Sequence, residues 1–322
     1  MQKLKNLLSH SKTLTAFVSA VIILLAICGL YLNSYLNKIN YKEKPPVTDI
    51  NLIEDNVSSR HSEPREESGD PLTDKDIINI LLIGQDKRPG EESARSDSMI
   101  IATVNKKSNS IKLTSLMRDM YVPIPGYADN KINAAYALGG MDLLTVTVED
   151  NFLIGIDGCV EVDFLGFEKI IDKIGGVDIE LNKDEAYYLS NSSGLRFTAG
   201  INTLTGKTAL EYARIRYIGN DDYERTERQR NVLVAVFNKL KDSGVKTLLE
   251  LADDILPLVT TNLTSSQILS LATKVILMNA SGIESYRIPA DGKFVPDTIR
   301  DMSVLVPNLL ENRELLKEYI GY

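Results

Sequence analysis

Histidine and cysteine are nearly missing from this chain, with two of each in 322 residues. Both histidines, His10 and His61, precede the part of the sequence patterned like a folded domain. Their placement takes Ser-His-Asp and Cys-His nucleophilic chemistry, and His-ligated metals, out of consideration for that domain. Cys28 and Cys159 lie far apart and form no Cys-x-x-Cys spacing. A zinc site or redox pair is therefore disfavoured, and Cys159 reads as a small buried apolar residue. Positive charge is in deficit too: the formal net charge is -8. A broad nucleic-acid surface does not fit that balance, so any anion site must be a local basic pocket. Carboxylates, arginines, lysines and a hard cation are what remain for chemistry.

With 43% hydrophobic and 25% charged residues, the composition suits a globular domain with an ample core. Leu14 to Leu32 carries no charge and is long enough to cross a bilayer as a helix. It lacks the short apolar region and small-x-small exit of a cleaved leader, so it reads as a retained signal-anchor. The lysines on either side orient it weakly. The expected layout is a cytoplasmic N-terminus (1–13), a transmembrane helix (14–32), a flexible extracytoplasmic linker (33–75) and a domain (76–322). The linker assignment rests on Pro45-Pro46 and a polar Glu/Arg/Ser/Asp mixture.

Ile77 to Gly84 is a continuous apolar run, the pattern of a strand buried on both faces. Further strands are predicted at Ser98 to Val104, Ile111 to Met117, Cys159 to Asp163, Val177 to Leu181 and Ile283 to Ile288. Helices are predicted at Ala134 to Leu138, Asp142 to Phe152, Phe164 to Ile174, Thr205 to Ile215, Thr226 to Lys241 and Ser265 to Asn279, with a terminal helix at Met302 to Tyr319. The fold class expected is α/β, one domain with a central mixed sheet flanked by helices. Charged residues collect where the first three strands begin or end, the edge at which open α/β sheets bind ligands.

The densest chemistry lies between Tyr212 and Arg230, where Arg214, Arg216, Arg225, Arg228 and Arg230 surround a Gly-Asn-Asp turn. Guanidinium grips planar oxyanions bidentately and stays charged at any workable pH. One reading is a phosphate-binding wall; the other is a solvated helix face paired with Glu211, Glu224 and Glu227. Arginines in a first helical turn oppose the macrodipole, which favours an anion among Arg225, Arg228 and Gln229. Asp86 and Asp97, at adjacent strand boundaries beside Arg95 and Arg118, could share a hard cation such as magnesium. Asp222 is open to two readings, a helix N-cap or a base aimed at an incoming hydroxyl. Gly200 to Thr208 looks like a phosphate-binding loop but has five residues between its glycines where four are required. It reads instead as a turn with Thr205 capping a helix.

Taken in order, Gly84-x-Asp86, Arg95-Ser-Asp97, Ser115-x-x-Arg118-Asp119, Lys131-Ile-Asn133, Ala213-Arg-x-Arg216 and Asp222-x-x-Arg225-x-x-Arg228-Gln229 resemble the LytR-CpsA-Psr family. The resemblance implies a cell-membrane enzyme with an extracytoplasmic domain, moving a glycopolymer from an undecaprenyl-pyrophosphate carrier to a peptidoglycan hydroxyl. Teichoic acids and capsular polysaccharides are the polymers it implies. It also implies Mg2+ on Asp86 and Asp97, and Arg95, Arg118, Lys131, Arg214, Arg216, Arg225 and Gln229 around the pyrophosphate. Arg118 and Asp222 are the implied catalytic residues. Two other readings share these residues: a polyprenyl-pyrophosphate binding module without catalysis, and a lipid-pyrophosphate hydrolase. A transcriptional regulator fits neither the anchor nor the charge, and no DNA-reading helix-turn-helix is recognisable.

Overall fold

The computed structural model describes residues 40–42, 70–86, 95–216, 218, 222–242, 251, 254–278 and 282–322. In chain order come β1 (Asn40–Tyr41), β2 (Ile77–Asp86), β3 (Arg95–Asn105), β4 (Ser110–Leu116), β5 (Tyr121–Val122) and β6 (Asn130–Lys131). Then follow α1 (Ile132–Phe152), β7 (Gly158–Asp163), α2 (Phe164–Lys173), β8 (Val177–Leu181), α3 (Lys183–Ser193), β9 (Gly200–Leu204) and α4 (Gly206–Ala213). The rest comprises α5 (Asp222–Asp242), β10 (Thr260–Thr261), α6 (Ser265–Leu277), β11 (Ile283–Ile288), β12 (Phe294–Ile299), β13 (Met302–Pro307) and α7 (Leu309–Ile320).

The apolar run at Ile77 forms the centre of a seven-stranded mixed sheet ordered β1-β10-β7-β2-β3-β4-β11. β2 pairs parallel to β7 and antiparallel to β3, and β4 pairs parallel to β11. Because strand side chains alternate, β2 feeds two cores. Leu81 and Ile83 pack with Leu144, Val148 and Phe152 of α1 and with Leu316 and Ile320 of α7. On the other face Ile78 joins Val104 and Ile111 against Phe237 of α5 and Leu271 and Val275 of α6. A separate layer sets the β8–β9 hairpin against Ile171 of α2, Leu189 of α3, Tyr212 of α4 and Val232 of α5. Helices thus cover both faces, leaving the sheet's strand ends as the accessible working edge.

Several expectations change in detail. Met302–Pro307 is a strand paired antiparallel with Phe294–Ile299, so the predicted terminal helix begins only at Leu309, where Asn308 accepts a hydrogen bond from the Glu311 amide. The β-branched Val304 and Val306 favour extended backbone over helix. The two helices predicted on either side of Gly139-Gly140 are present as expected; α1 spans both, with non-helical backbone at the two glycines between them. α3 was not expected; Asn182 and Glu185 form a capping box at its start. Thr205 occupies the cap position of α4, but its hydroxyl pairs with that of Thr208 at 3.1 Å rather than with a helix amide, and Asp172 accepts from the Gly206 amide at 2.7 Å. Val177–Leu181 lies in the hairpin layer, outside the central sheet. Cys159 is fully buried, as expected.

Part of the segment read as linker is docked: Asn40–Tyr41 pairs with Thr260–Thr261 at the sheet edge. The proposed anchor, 14–32, falls outside the described residues. Among the described residues, no helix is long and apolar enough to cross a membrane.

Candidate active site

β4 runs out at Leu116, and the next residues are tied down from three directions. The Met117 amide donates to the Ile288 carbonyl at 2.8 Å, the Asn133 amide to the Arg118 carbonyl at 3.4 Å and the Leu305 amide to the Asp119 carbonyl at 2.9 Å. Backbone held by β11, α1 and β13 gives Arg118 and Asp119 little freedom. On the neighbouring strands a bulge interrupts the β2–β3 ladder: Gly84 faces Ser98 and Gln85 faces Ser96, leaving Asp97 as the extra residue. Bulges re-aim side chains and are common beside active sites. Gly84 is tight here, since an added Cβ would meet the Ser98 Cβ at 3.2 Å. Asp86 sits at the end of β2, opposite Arg95.

A chain of charges grows from these anchors. Arg118 donates to Asp97 Oδ1 at 2.8 Å and its Nε lies 3.5 Å from Asp119 Oδ2. Lys131, at the start of α1, reaches Asp119 at 2.6 Å. The Asp222 carboxyl lies beside that of Asp119. Asp222 lies 3.0 Å from Arg225 and 3.7 Å from Arg216 Nε. Three guanidiniums and one ammonium, contributed by the segment after β4, β6, α5 and the segment after α4, therefore meet three carboxylates at one end of the sheet.

The electrostatics show how closely these groups are coupled. Burial would lift the Asp119 carboxyl, but the Lys131 hydrogen bond and the Arg118 and Lys131 charges hold it below its ordinary value. Arg118 is pushed up despite burial because Asp97, Asp119 and Asp222 surround it. Arg225 goes the other way, down to about 10, through burial and the facing Arg118 and Arg216 charges, which Asp222 and Asp97 only partly offset. Nε of Arg118 and Nε of Arg225 are both buried without a hydrogen-bond acceptor. The Arg118 Nε keeps only the 3.5 Å ion pair with Asp119, and the Arg225 Nε has no acceptor at all, so both guanidiniums retain unused donor capacity.

The other sequence-predicted residues fall as follows. Arg214 ends α4 and lies over the Phe164 ring at 4.7 Å, at the β7 side of the same sheet edge. Gln229 is half-buried on α5, one turn beyond Arg225 and on the same helical face. Arg95 is placed by its backbone, across from Asp86. The Gly-Asn-Asp turn lies outside the described residues. Arg228, read from sequence as part of an anion-binding turn, is instead structural. It donates to Glu185 Oε1 at 2.7 Å, to Glu224 at 2.8 Å and to the carbonyls of Ile215 and Ile218 at 3.3 Å each. Asp222 and Glu224 occupy the first turn of α5 and offset the arginines there, so the macrodipole conflict is largely relieved inside the protein. Asp119 was quoted in the motif without a role, yet it is the junction of Arg118, Lys131 and Asp222. Its position next to Arg118 was the available signal.

A model of the LytR_cpsA_psr family matches residues 44–318. The chain belongs to the LytR-CpsA-Psr family. Among curated relatives, the polyisoprenyl-teichoic acid–peptidoglycan teichoic acid transferase TagU of Bacillus mycoides is 37% identical over 71% of this chain and 74% of its own length. The regulatory protein MsrR of Staphylococcus aureus is 33% identical over 78% of this chain and 76% of its own. Among solved structures, a LytR-CPS2A-psr family protein, YwtF (TagT), with bound octaprenyl pyrophosphate lipid aligns with TM-score 0.60 at 28% identity, covering 77% of this chain and 92% of that one. The family match spans every element of the charge cluster, so the cluster is part of the family domain rather than an appendage to it.

Proposed function

We propose that this protein transfers a glycopolymer from an undecaprenyl-pyrophosphate carrier to a hydroxyl of peptidoglycan, from the outer side of the cell membrane. The single observation that supports this best is the convergence of Arg118, Arg216 and Arg225 on one point beside Asp97 and Asp222. A diphosphate would bring acceptors to these guanidiniums, whose Nε atoms make no hydrogen bond within the protein. The names of TagU and of lipid-bound TagT point to the same substrate class.

The donor set also fits a metal ion. Counting Asp86, four carboxylates balance the four described cationic groups of the cluster, so a bound diphosphate would bring excess negative charge. Asp86 and Asp97 offer hard oxygen atoms at adjacent strand ends, and magnesium is commonly held by one or two carboxylates with phosphate oxygens. When bound, Mg2+ would supply that missing charge. Within the reaction, Arg118, Arg216 and Arg225, with Lys131, Gln229, Arg214 and Arg95 around them, hold and orient the diphosphate. The acceptor hydroxyl attacks the phosphorus nearest the glycan, the new P–O bond forms as the bridging P–O bond breaks, and polyprenyl phosphate leaves. Asp222, beside Asp119, takes the hydroxyl proton. Phosphoryl transfer demands mainly positioning and charge neutralisation, which this constellation suits without histidine. The apolar 14–32 segment would keep the domain beside its lipid-linked donor.

The test uses the full-length chain in detergent with lipid-linked glycopolymer, Mg2+ and peptidoglycan. Polyprenyl phosphate released only when acceptor is present, with polymer joined to it, is the expected result. Release without acceptor would make the protein a hydrolase, and bound lipid without release would make it a carrier; either overturns the proposal.

A further inference from the structure

The short strand β1 enters the sheet from a particular end. Asn40 pairs with Thr260, Thr260 with Glu161, and Glu161 with Ile83. β1 is parallel to β10, β10 antiparallel to β7 and β7 parallel to β2, so β1 runs against β2. The chain therefore comes into β1 from the end of the sheet where β2 delivers Asp86, the edge that carries the diphosphate cluster. Seven residues, 33–39, separate Asn40 from Leu32, the last residue of the apolar run. Fully extended they reach about 25 Å at most.

The strand is tied down on both sides. The Lys42 amide donates to the Thr261 carbonyl at 2.9 Å, and the Asn40 side-chain amide to the Pro257 carbonyl at 3.0 Å. Lys42 Nζ lies 3.7 Å from Asp142 of α1. β1 also lies ahead of residues 44–318, so the family match does not account for it. Around it, Tyr41 is 54% exposed, Leu138 of α1 45% and Leu165 of α2 59%. Leu138 precedes Asp142 on α1. Leu165 precedes Gly166, where an added Cβ would meet the carbonyl oxygen of Leu258, the neighbour of Pro257, at 3.0 Å. Exposed apolar residues scattered singly need no explanation. Three of them beside a lysine, where a membrane tether docks, suit the boundary between head groups and acyl chains.

We propose that the face formed by Tyr41, Lys42, Leu138 and Leu165 rests on the phospholipid bilayer, so that β1 acts as a strap turning the diphosphate edge of the sheet towards the membrane. The proposal rests on the reading of 14–32 as an anchor. In this orientation a lipid-linked diphosphate meets Arg118 and Arg225 close to the head groups, with its prenyl chain still near the bilayer.

The chain contains no tryptophan, so single introduced tryptophans report the contact directly. Full-length Leu138→Trp, Leu165→Trp and Ser285→Trp are reconstituted separately into phosphatidylglycerol–phosphatidylethanolamine vesicles, with and without bromine on the acyl chains near the head groups. Ser285 is exposed on β11, six strand spacings or about 29 Å across the sheet from β1. Contact with the acyl boundary should lower the emission of both leucine-site tryptophans about two-fold in brominated vesicles, while Ser285→Trp keeps its emission. In the Leu165→Trp chain, Lys42→Pro removes the amide given to Thr261 and should abolish most of that quenching. Equal quenching at the three positions, or quenching indifferent to Lys42→Pro, would overturn the orientation while leaving the anchor intact. Release of the chain from the vesicles by alkaline extraction would overturn the anchor and the orientation with it. Transfer that fails while the quenching pattern stands would count against the transferase reading alone.

Discussion

Replacing Arg228 by methionine should damage this protein from the inside out. Arg228 and Glu185 are 2% and 6% exposed, and their 2.7 Å contact joins α5 to α3. Removing the guanidinium leaves Glu185 charged, buried and deprived of its main partner, although Asn182 still donates its amide to it at 3.0 Å. Breaking one side of a buried pair costs about 3–5 kcal/mol. At roughly 2–4 °C per kcal/mol for a domain of this size, the melting temperature should fall by about 6–20 °C. Function should suffer further at temperatures where the variant is still folded. The carbonyls that Arg228 holds belong to Ile215 and Ile218, which flank Arg216, so the loosened segment should lower the transfer rate while leaving Arg118 and Lys131 in place. Pairing Arg228→Met with Glu185→Leu should restore most of the stability, less about 1 kcal/mol for the lost α3 cap, but not the rate. Thermal melts and transfer assays on the three variants test this. A fall under about 3 °C in Arg228→Met, below what the pair's burial implies, would refute the clasp. A double variant as unstable as the sum of its parts would refute it as well.

Other outcomes follow from single contacts. Arg118→Ala should lower the transfer rate by about 100-fold or more if the guanidinium stabilises transition-state charge, measured with lipid-linked donor at saturating acceptor. Asp97→Asn should abolish stimulation by Mg2+ across a magnesium titration; unchanged stimulation would remove Asp97 from the metal site. The folded Asp119 carboxyl lies below its ordinary value of 3.8, so its contribution to stability is present above that pH and lost as pH falls through the folded value. Asp119→Asn should therefore flatten the acid limb of a stability–pH profile below about pH 4, while leaving the alkaline limb unchanged. Gly206→Ala would drive a Cβ to 2.0 Å from the Glu168 carbonyl oxygen at the α2–α4 contact, and should cost about 1–3 kcal/mol or more in denaturant melts.

Much of this site could be read before any fold was known because its groups sit at punctuation points in the sequence. Arg118-Asp119 follows an apolar strand, Lys131 opens a helix, and Asp97 belongs to the Arg-Ser-Asp start of another strand. What sequence could not supply was pairing. Arg228 and Arg225 are three residues apart in the same arginine-rich stretch. One is consumed by Glu185 on α3 and the other faces Arg118 across the cluster. Only the tertiary path of the chain separates them. The β12–β13 hairpin was missed for a related reason: Met302 to Tyr319 contains enough leucine and glutamate to suggest one helix, whereas pairing with Phe294–Ile299 captures its first third. The bulge that makes Asp97 the odd residue likewise depends on the register of two strands, which neither strand encodes alone.

The claim on which all of this depends is that Arg118, Arg216 and Arg225 serve one diphosphate. Comparing the affinity of the full-length chain for octaprenyl pyrophosphate and octaprenyl monophosphate, in the wild type and in Arg118→Ala and Arg225→Ala, tests it most directly. The account predicts that the wild type prefers the diphosphate by at least about 10-fold, because charge-assisted bonds contribute about 1.5–3 kcal/mol each, and that each variant loses most of that preference. Equal affinity for the two lipids, or an undiminished preference in both variants, would contradict it.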